Sequence, residues 1–479
     1  MSIQALRHNC GLCVAKTLHD AYSFIRSLQH RGREAAGIAA IGSDQIVVIK
    51  WLGPVTRFDI TDLHKILPAP LFHTYFAHVR YATRGRKETR EILCDAHPIA
   101  IGGKVTHEQD HIIIRDCEAV IIHNGQVDIP FSELPTGTKL KTGTDTEALL
   151  YYLLANGPRT ALHEIPGAYT LAYTLRRFPE IIAMRDRTGI KPGVLGWKDG
   201  SYGFASEDIA FRKNGGEFTE DMEPGTIYYL RSNGSYRKEP VVTPETRFCF
   251  FEWNYLADVD SMLNGINVRL LREQLGAALP YIPVDLVTCV PRCPQVAARV
   301  YAKNKGLPFS SVLYKTRGER SFQGSTAKQR HDSIASNLFL LPYLRGPGGE
   351  VIAAPDFLAG KKVTLIDDSI VRGNNSVHAR DLLLGQAKVA EINFLSYTPP
   401  IGIVGDDGIP RGCLFGVDMP PRDKFIARER TRAEISSKMG MDVHHLSLER
   451  MLAVYRRCGL HPEQLCTYCV GGPHPFGNT

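Results

Sequence analysis

The chain lacks any apolar run near the roughly 18 residues a membrane-spanning helix requires, so no membrane segment is expected. Met1 to Asn9 lacks the apolar core of about 7–15 residues that marks a secretory signal, so none is expected there. No charge of one sign dominates: 57 Lys and Arg against 50 Asp and Glu leave +7 over 479 residues. A dedicated nucleic-acid binder concentrates its basic residues in a stripe, so an enzyme handling phosphates is expected and nucleic acid is not. Internal repeats and low-complexity tracts are missing. With 43% apolar and 22% charged residues, disordered and collagenous classes are excluded. The eleven cysteines are odd in number and scattered, which speaks against a disulfide framework and for reduced thiols in a cytoplasmic protein.

What is present divides into two halves. The first is rich in short apolar runs, such as Ile46–Ile49, Ile112–Ile114, Val120–Ile122 and Gly167–Tyr173, which predict strands. Ala15, Leu18, Ala21, Ile25 and Leu28 fall at helical spacing. In the second half, buried-type strands at Asp285–Val290, Val363–Ile366 and Ile392–Leu395 alternate with helical stretches, the rhythm of a parallel sheet with crossover helices. The connector is expected near residues 240–248, and Leu341 to Gly360, with its Gly and Pro residues, reads as a long surface loop.

The most informative segment is Val363 to Ser376. An apolar strand ends in Asp367 and Asp368, a polar loop follows with Ser369, Arg372 and Gly373, and a helix opens at Asn374 and Asn375. Ligands of open α/β sheets bind beyond the carboxyl ends of strands. Successive N–H groups at a helix N-terminus suit a phosphate, and the two acids suit ribose hydroxyls, directly or beside a magnesium ion. An ordinary turn with solvated acids is the plainer alternative. The segment resembles the ribose-phosphate signature of type I phosphoribosyltransferases.

At the other end, Cys10 follows a nine-residue leader. A cysteine freed as the first residue has its own base, an α-amine of unperturbed pKa about 7.7–8.0; a lone cysteine is otherwise a small buried apolar residue. His30–Arg31–Gly32, His78–Val79–Arg80–Tyr81–Ala82–Thr83, His123–Asn124–Gly125 and Gly143–Thr144–Asp145–Thr146–Glu147 follow in order. They resemble the N-terminal-nucleophile glutaminase domain. On that reading Arg80 forks onto the α-carboxylate of glutamine and Asp145 takes its ammonium. Asn124 and the Gly125 N–H serve the oxyanion formed when Cys10 attacks, and Arg31 and Thr83 shape the pocket. His30, His78 and His123 are expected to be structural, not metal ligands.

Taken together the motifs resemble the amidophosphoribosyltransferase family along nearly the whole chain. The resemblance implies an α/β protein: a leader over 1–9, an αββα sandwich over 10–245, and a parallel-sheet phosphoribosyltransferase domain over 246–479. It implies transfer of glutamine-derived ammonia to 5-phosphoribosyl 1-diphosphate, with Mg2+ at Asp367 and Asp368. A basic loop carrying Lys315 and Arg317, and further on Arg320 and Arg330, would meet the diphosphate; a solvated basic loop is the alternative. It further implies a homotetramer inhibited by purine nucleotides. Cys466 and Cys469 form a C-x-x-C pair, and Cys249 and Cys413 stand at the remaining positions of the family's cluster-bearing branch. Four thiolates suit a [4Fe–4S] cluster, with tetrahedral zinc as the rival.

Several positions depart from the family pattern. Pro291–Arg292–Cys293–Pro294 replaces a diphosphate loop that is usually Ser- and Gly-bearing, and Pro294 has no N–H to donate. Asn374 and Asn375 replace hydroxyl residues, the basic loop is one residue shorter near Gly318, and Arg33 replaces a glutamine. These departures keep two other readings open: a related amidotransferase with a different phosphoribosyl-type acceptor, and a non-catalytic nucleotide-binding regulator.

Overall fold

The protein is described by a computed structural model that covers residues 10–81, 89–178, 180–316, 337–346, 348–417 and 419–477. The chain divides into two compact units. One holds the residues through Cys249 with Leu256–Gly265 and a short stretch from Phe415; the other holds Phe250–Tyr255, Ile266–Leu414 and the remainder from Met419.

The first unit is built on strands β1 (Gly11–Ala15), β2 (Ala35–Ile41), β3 (Ile46–Leu52), β4 (Thr74–Arg80), β5 (Ile99–His107), β6 (His111–Val127) and β7 (Gly167–Leu175), with helices α1 (Leu18–Ser27) and α2 (Asp145–Glu164). These strands and six later ones form a 13-stranded antiparallel sheet in which β1 lies beside β4, β4 beside β2, and β3 beside β6. The sheet doubles into two layers. Leu12, Phe76 and Val48 share one core with Ala172, Ala183 and Tyr228, which belong to strands remote in sheet order. Alternate residues point outward: Ala36, Ile38 and Ala40 meet α1, whereas Tyr169, Leu171 and Tyr173 meet α2. Two helix layers thus flank two sheet layers.

The runs Ile112–Ile114 and Val120–Ile122, expected as separate strands, belong to one 17-residue strand. Asp116 kinks it with φ +60°, and its pairing with β5 slips between Ile101 and Gly102. The kink lets one strand serve both layers: Ile113 packs on the α1 side and Ile121 on the α2 side.

The second unit carries a four-stranded parallel sheet: β8 (Leu286–Cys289), β9 (Lys362–Asp367), β10 (Glu391–Ser396) and β11 (Asp442–His445), in that order. Helix α3 (Gln295–Lys305) follows β8, and α4 (Asn374–Asp381) follows the loop after β9. Leu365, Phe394 and Val443 fill the core with Leu383 and Met439. Leu341 to Gly360 is not the irregular loop its Gly and Pro content predicts. Tyr343–Arg345 pairs antiparallel with Val351–Ala353, and Ala354–Leu358 is a short helix with Pro355 in its first turn, where a missing N–H costs nothing. Among the described residues no helix is long and apolar enough to cross a membrane.

Candidate active sites

The first site forms where β1, β4, β6 and the start of α2 converge. Cys10 is wholly buried. Its N–H donates to Asn124 Oδ1 at 3.1 Å, and its carbonyl accepts from Arg31 Nε at 3.0 Å. Burial pushes the thiol up to about 11, against the opposing pull of the Tyr81 N–H and the charges of Arg80, Lys191 and Arg31. Unassisted, this sulfur stays protonated at neutral pH, so it needs a base.

Asn124 and Gly125 sit near the end of β6, paired with Thr170 and Tyr169 of β7. Asn124 Nδ2 is buried with no hydrogen-bond partner among the described residues. At Gly125 a Cβ would lie 2.1 Å from the Ala168 carbonyl oxygen and 2.7 Å from His123 Nε2, so only glycine fits. Asp145 opens α2; its Oδ2 accepts the Val127 N–H at 2.9 Å. Burial pushes its carboxyl up to about 7. An ammonium arriving here would meet a group ready to ionise in its favour. The loop before α2 is held by Glu147, which accepts the N–H groups of Lys141 and Thr142. Arg80, at the end of β4, pairs with Glu34 at 3.0 Å and keeps a buried Nε without a hydrogen-bond partner among the described residues. Thr83 and the leader over 1–9 lie outside the described residues.

The histidines do two jobs. His30 pairs with Glu207 at 2.7 Å. His78 stacks on His97 with centroids 4.3 Å apart and meets the His123 carbonyl at 3.1 Å through Nε2. His97 Nε2 and His123 Nδ1 both bond the Thr146 hydroxyl, at 3.0 and 2.9 Å. Burial lowers His78 and His123 to about 3, so both are neutral packing groups beneath the site.

Glu207, His97 and Lys191 were not singled out from sequence, and Thr146 was named only within its motif, without a role. For Glu207 a signal existed: Ser206–Glu207–Asp208 directly follows the apolar strand ending Phe204–Ala205, and all three are buried. Burial alone would raise the Glu207 carboxyl, but His30 and Arg31 hold it well below the usual carboxylate range.

The second site lies at the carboxyl end of β9. Asp367 and Asp368 are both buried. Asp367 accepts the Asp368 N–H at 2.9 Å and the Ser376 hydroxyl at 3.1 Å; Asp368 accepts the Ser369 hydroxyl at 2.8 Å. Burial, with the charge of Asp368, drives Asp367 well above the ordinary range, and burial brings Asp368 to about 6. Two adjoining buried acids cannot both ionise cheaply without a counter-charge, so the pair fits a divalent cation or a hydroxyl-rich ligand. Gly373, at φ +78°, caps α4, and Asn374 and Asn375 form its first turn. Arg372 is tied to Asp423.

Pro294 caps α3 without a side-chain bond, and Arg292 Nη2 donates to the Lys315 carbonyl at 3.4 Å. The structure thus joins the altered loop to the strand that carries Lys315. Cys293 Sγ lies 3.3 Å from the Asn254 carbonyl, which also accepts the Tyr397 hydroxyl at 2.8 Å. Arg317, Arg320 and Arg330 lie outside the described residues.

Cys249, Cys413 and Cys466 are partly buried and Cys469 is buried. In the second unit the segments bearing Cys413 and the C-x-x-C pair adjoin: Arg411 stacks over Tyr468 at 4.7 Å, and the Cys469 carbonyl accepts the Gly402 N–H at 2.9 Å. Among the described residues no group of three or more His, Cys, Asp or Glu side chains is assembled as a metal-ion site.

Known proteins resemble this chain along nearly its whole length. The family described as "Glutamine amidotransferase domain" matches residues 100–213. The amidophosphoribosyltransferase of Archaeoglobus fulgidus is 29% identical over 474 residues, 95% of this chain and 94% of that one. The Bacillus subtilis amidophosphoribosyltransferase is 27% identical over 503 residues, 99% and 95% of the two chains. The solved structure of B. subtilis glutamine phosphoribosylpyrophosphate amidotransferase, complexed with ADP and GMP, superposes with a TM-score of 0.77 at 25% identity, covering 97% of each chain.

Proposed function

We propose, from this likeness to amidophosphoribosyltransferases over nearly the whole chain, that the protein catalyses the first step of de novo purine synthesis. Glutamine and 5-phosphoribosyl 1-diphosphate become 5-phosphoribosylamine, diphosphate and glutamate. The observation that carries the reading is the coincidence of full-length similarity with two built sites: Cys10 bonded to Asn124 in one, and Asp367 beside Asp368 in the other.

In the first site the α-amine of Cys10, freed by loss of residues 1–9, takes the thiol proton. The sulfur adds to the carboxamide carbon of glutamine, and the carbonyl electrons pass to oxygen, which Asn124 Nδ2 and Gly125 stabilise. The nitrogen leaves as ammonia with the returned proton, and water cleaves the thioester to glutamate. Arg80 holds the α-carboxylate and Asp145 the ammonium. In the second site ammonia forms a bond to C1 of the sugar as the C1–oxygen bond to diphosphate breaks. Asp367 and Asp368 orient the ribose; Ser369, Arg372, Gly373, Asn374 and Asn375 hold its 5-phosphate; Lys315, with Arg317, meets the diphosphate. Magnesium bound at the two acids would supply positive charge to the leaving group.

Cys249, Cys413, Cys466 and Cys469 would hold a [4Fe–4S] cluster that ties distant segments together and takes no part in the reaction. Thiolate is the ligand such a cluster takes, and the segments that bear Cys413, Cys466 and Cys469 adjoin. The nucleotides bound by the B. subtilis relative support inhibition by purine nucleotides here. Assembly as a homotetramer in the cytoplasm completes the reading.

The deciding measurement is glutamine-dependent release of diphosphate from 5-phosphoribosyl 1-diphosphate. Glutamine hydrolysis that is never accompanied by diphosphate release, with ammonia supplied or not, would reject the acceptor. One observation favours a second reading in that event, a different phosphoribosyl-type acceptor: the loop before α3 ends in Pro294, which has no N–H to offer a diphosphate.

A further inference from the structure

We infer that Glu207 is a positioning residue for the Cys10 nucleophile, acting through Arg31 and anchored in turn by the segment from Asp258 to Met262. Its carboxylate is fully buried, and four donors converge on it. Oε1 faces His30 Nε2 at 2.7 Å and accepts Arg31 Nη1 at 2.6 Å. Oε2 accepts the Asp258 N–H at 2.8 Å and the Ser261 hydroxyl at 2.6 Å. Arg31, itself buried, also holds the nucleophile, donating Nε to the Cys10 carbonyl at 3.0 Å.

The residues on either side repeat the pattern. Ser206 exchanges two bonds with Leu12: its hydroxyl accepts the Leu12 N–H at 3.1 Å, and its own N–H donates to the Leu12 carbonyl at 3.0 Å. Asp208 Oδ1 accepts the Met262 N–H at 2.9 Å. The tripeptide is therefore stitched to β1 on one side and to residues 258–262 on the other. Any buried ion pair needs further hydrogen bonds to its remaining lone pairs and protons; what is particular here is that one of them ends on the Cys10 backbone. The arginine thus fixes the backbone of the attacking residue while both oxygens of its Glu207 partner are held by other groups. Cys10 is held at both its N–H and its carbonyl, so the backbone that carries its Sγ is fixed by these two bonds.

The inference rests on Cys10 being the glutaminase nucleophile and needs nothing of the acceptor site. Glu207→Gln keeps the shape but turns one acceptor into a donor that faces donors. We expect kcat for glutamine hydrolysis to fall by on the order of ten- to a hundredfold, with KM within about twofold. Glu207→Asp, which keeps the charge, should recover part of the loss. Ser261→Ala, which removes a single donor, should cost about threefold or more in kcat. Alkylation of Cys10 by iodoacetamide at fixed pH, read by peptide mass, should slow in the same order and needs no turnover. Wild-type kcat and alkylation rate in both Glu207→Gln and Ser261→Ala would overturn the inference, as would a loss confined to KM. Should Glu207→Gln fail to fold, Ser261→Ala and Arg31→Lys decide: wild-type rates in both overturn it. If the wild-type protein splits no glutamine, the glutaminase reading fails while the alkylation series still decides the placement of Cys10. If glutamine is split without diphosphate release, only the acceptor assignment falls.

Discussion

Replacing Asn124 by alanine removes an amide whose two ends do different work. The Cys10 N–H can only donate, so Oδ1 faces it at 3.1 Å and Nδ2 is turned away, buried and without a hydrogen-bond partner among the described residues. A buried donor left unmade costs about 1–3 kcal/mol. Its presence beside a nucleophile is accounted for if a ligand takes it up, namely the carboxamide oxygen as it turns into an anion. Loss of such a donor removes about 2.7–4 kcal/mol of transition-state stabilisation, or 10²–10³ in kcat. Loss of the bond to Cys10 costs only about 0.5–1.5 kcal/mol of stability, a shift of about 2–4 °C per kcal/mol in Tm for a domain of this size. Asn124→Asp separates the two: it keeps an oxygen for Cys10, removes the donor, and sets a carboxylate near a thiol already pushed up to about 11. It should lose at least as much kcat as the alanine variant. The assay is steady-state glutamine hydrolysis with kcat and KM resolved, alongside thermal melting. An Asn124→Ala enzyme within about threefold of wild-type kcat refutes the argument; a loss seen only in KM moves the amide to ground-state binding.

His78 is neutral in the fold, lowered by burial to about 3, while the unfolded chain protonates near 6.5. Between those values only the unfolded state gains the proton, so this group costs the fold about 1.4 kcal/mol per pH unit as pH falls. The stability gap between wild type and His78→Asn should therefore narrow from pH 7 to pH 5 in urea titrations, and a constant gap contradicts neutral burial. Gly373→Ala places a Cβ 2.9 Å from Ile426 Cδ1 at φ +78°, at about 1–2 kcal/mol for the left-handed backbone; KM for the phosphoribosyl substrate should rise while glutamine hydrolysis holds. Protein purified anaerobically with iron supplied should carry about four irons per chain and absorb broadly near about 400 nm. Cys469→Ser should lose that signal, and stoichiometric zinc without iron would overturn the cluster.

Much of the chemistry was legible in the residues because it is local. Asp367 and Asp368 follow an apolar run, and Gly373 precedes a helix start; strand period, loop and cap are set within a dozen residues. The alternation of strands and helices after Asp285 likewise announced the parallel sheet. Composition misled at Leu341 to Gly360, where Gly and Pro suggested an irregular loop; cross-strand pairing of Tyr343–Arg345 with Val351–Ala353 overrode that preference. A hairpin needs both strands, and neither announces its partner.

The amino-acid order by itself determined which groups are available: the thiol at position 10, the amide at 124, the acids at 145, 367 and 368, and the two sheet types that carry them. Only the tertiary structure decided which groups meet. Asn124 reaches Cys10 across 114 residues, and Glu207 reaches Arg31 across 176 and Ser261 across 54. The kink at Asp116 sends one strand into both layers, and His78 stacks on His97, with His123 edge-on to it, only because β4 and β6 carry these two rings inward. The physical reason is that a buried charge or amide is stable only when distant donors and acceptors close around it at once. That closure belongs to packing, which no local pattern of residues encodes.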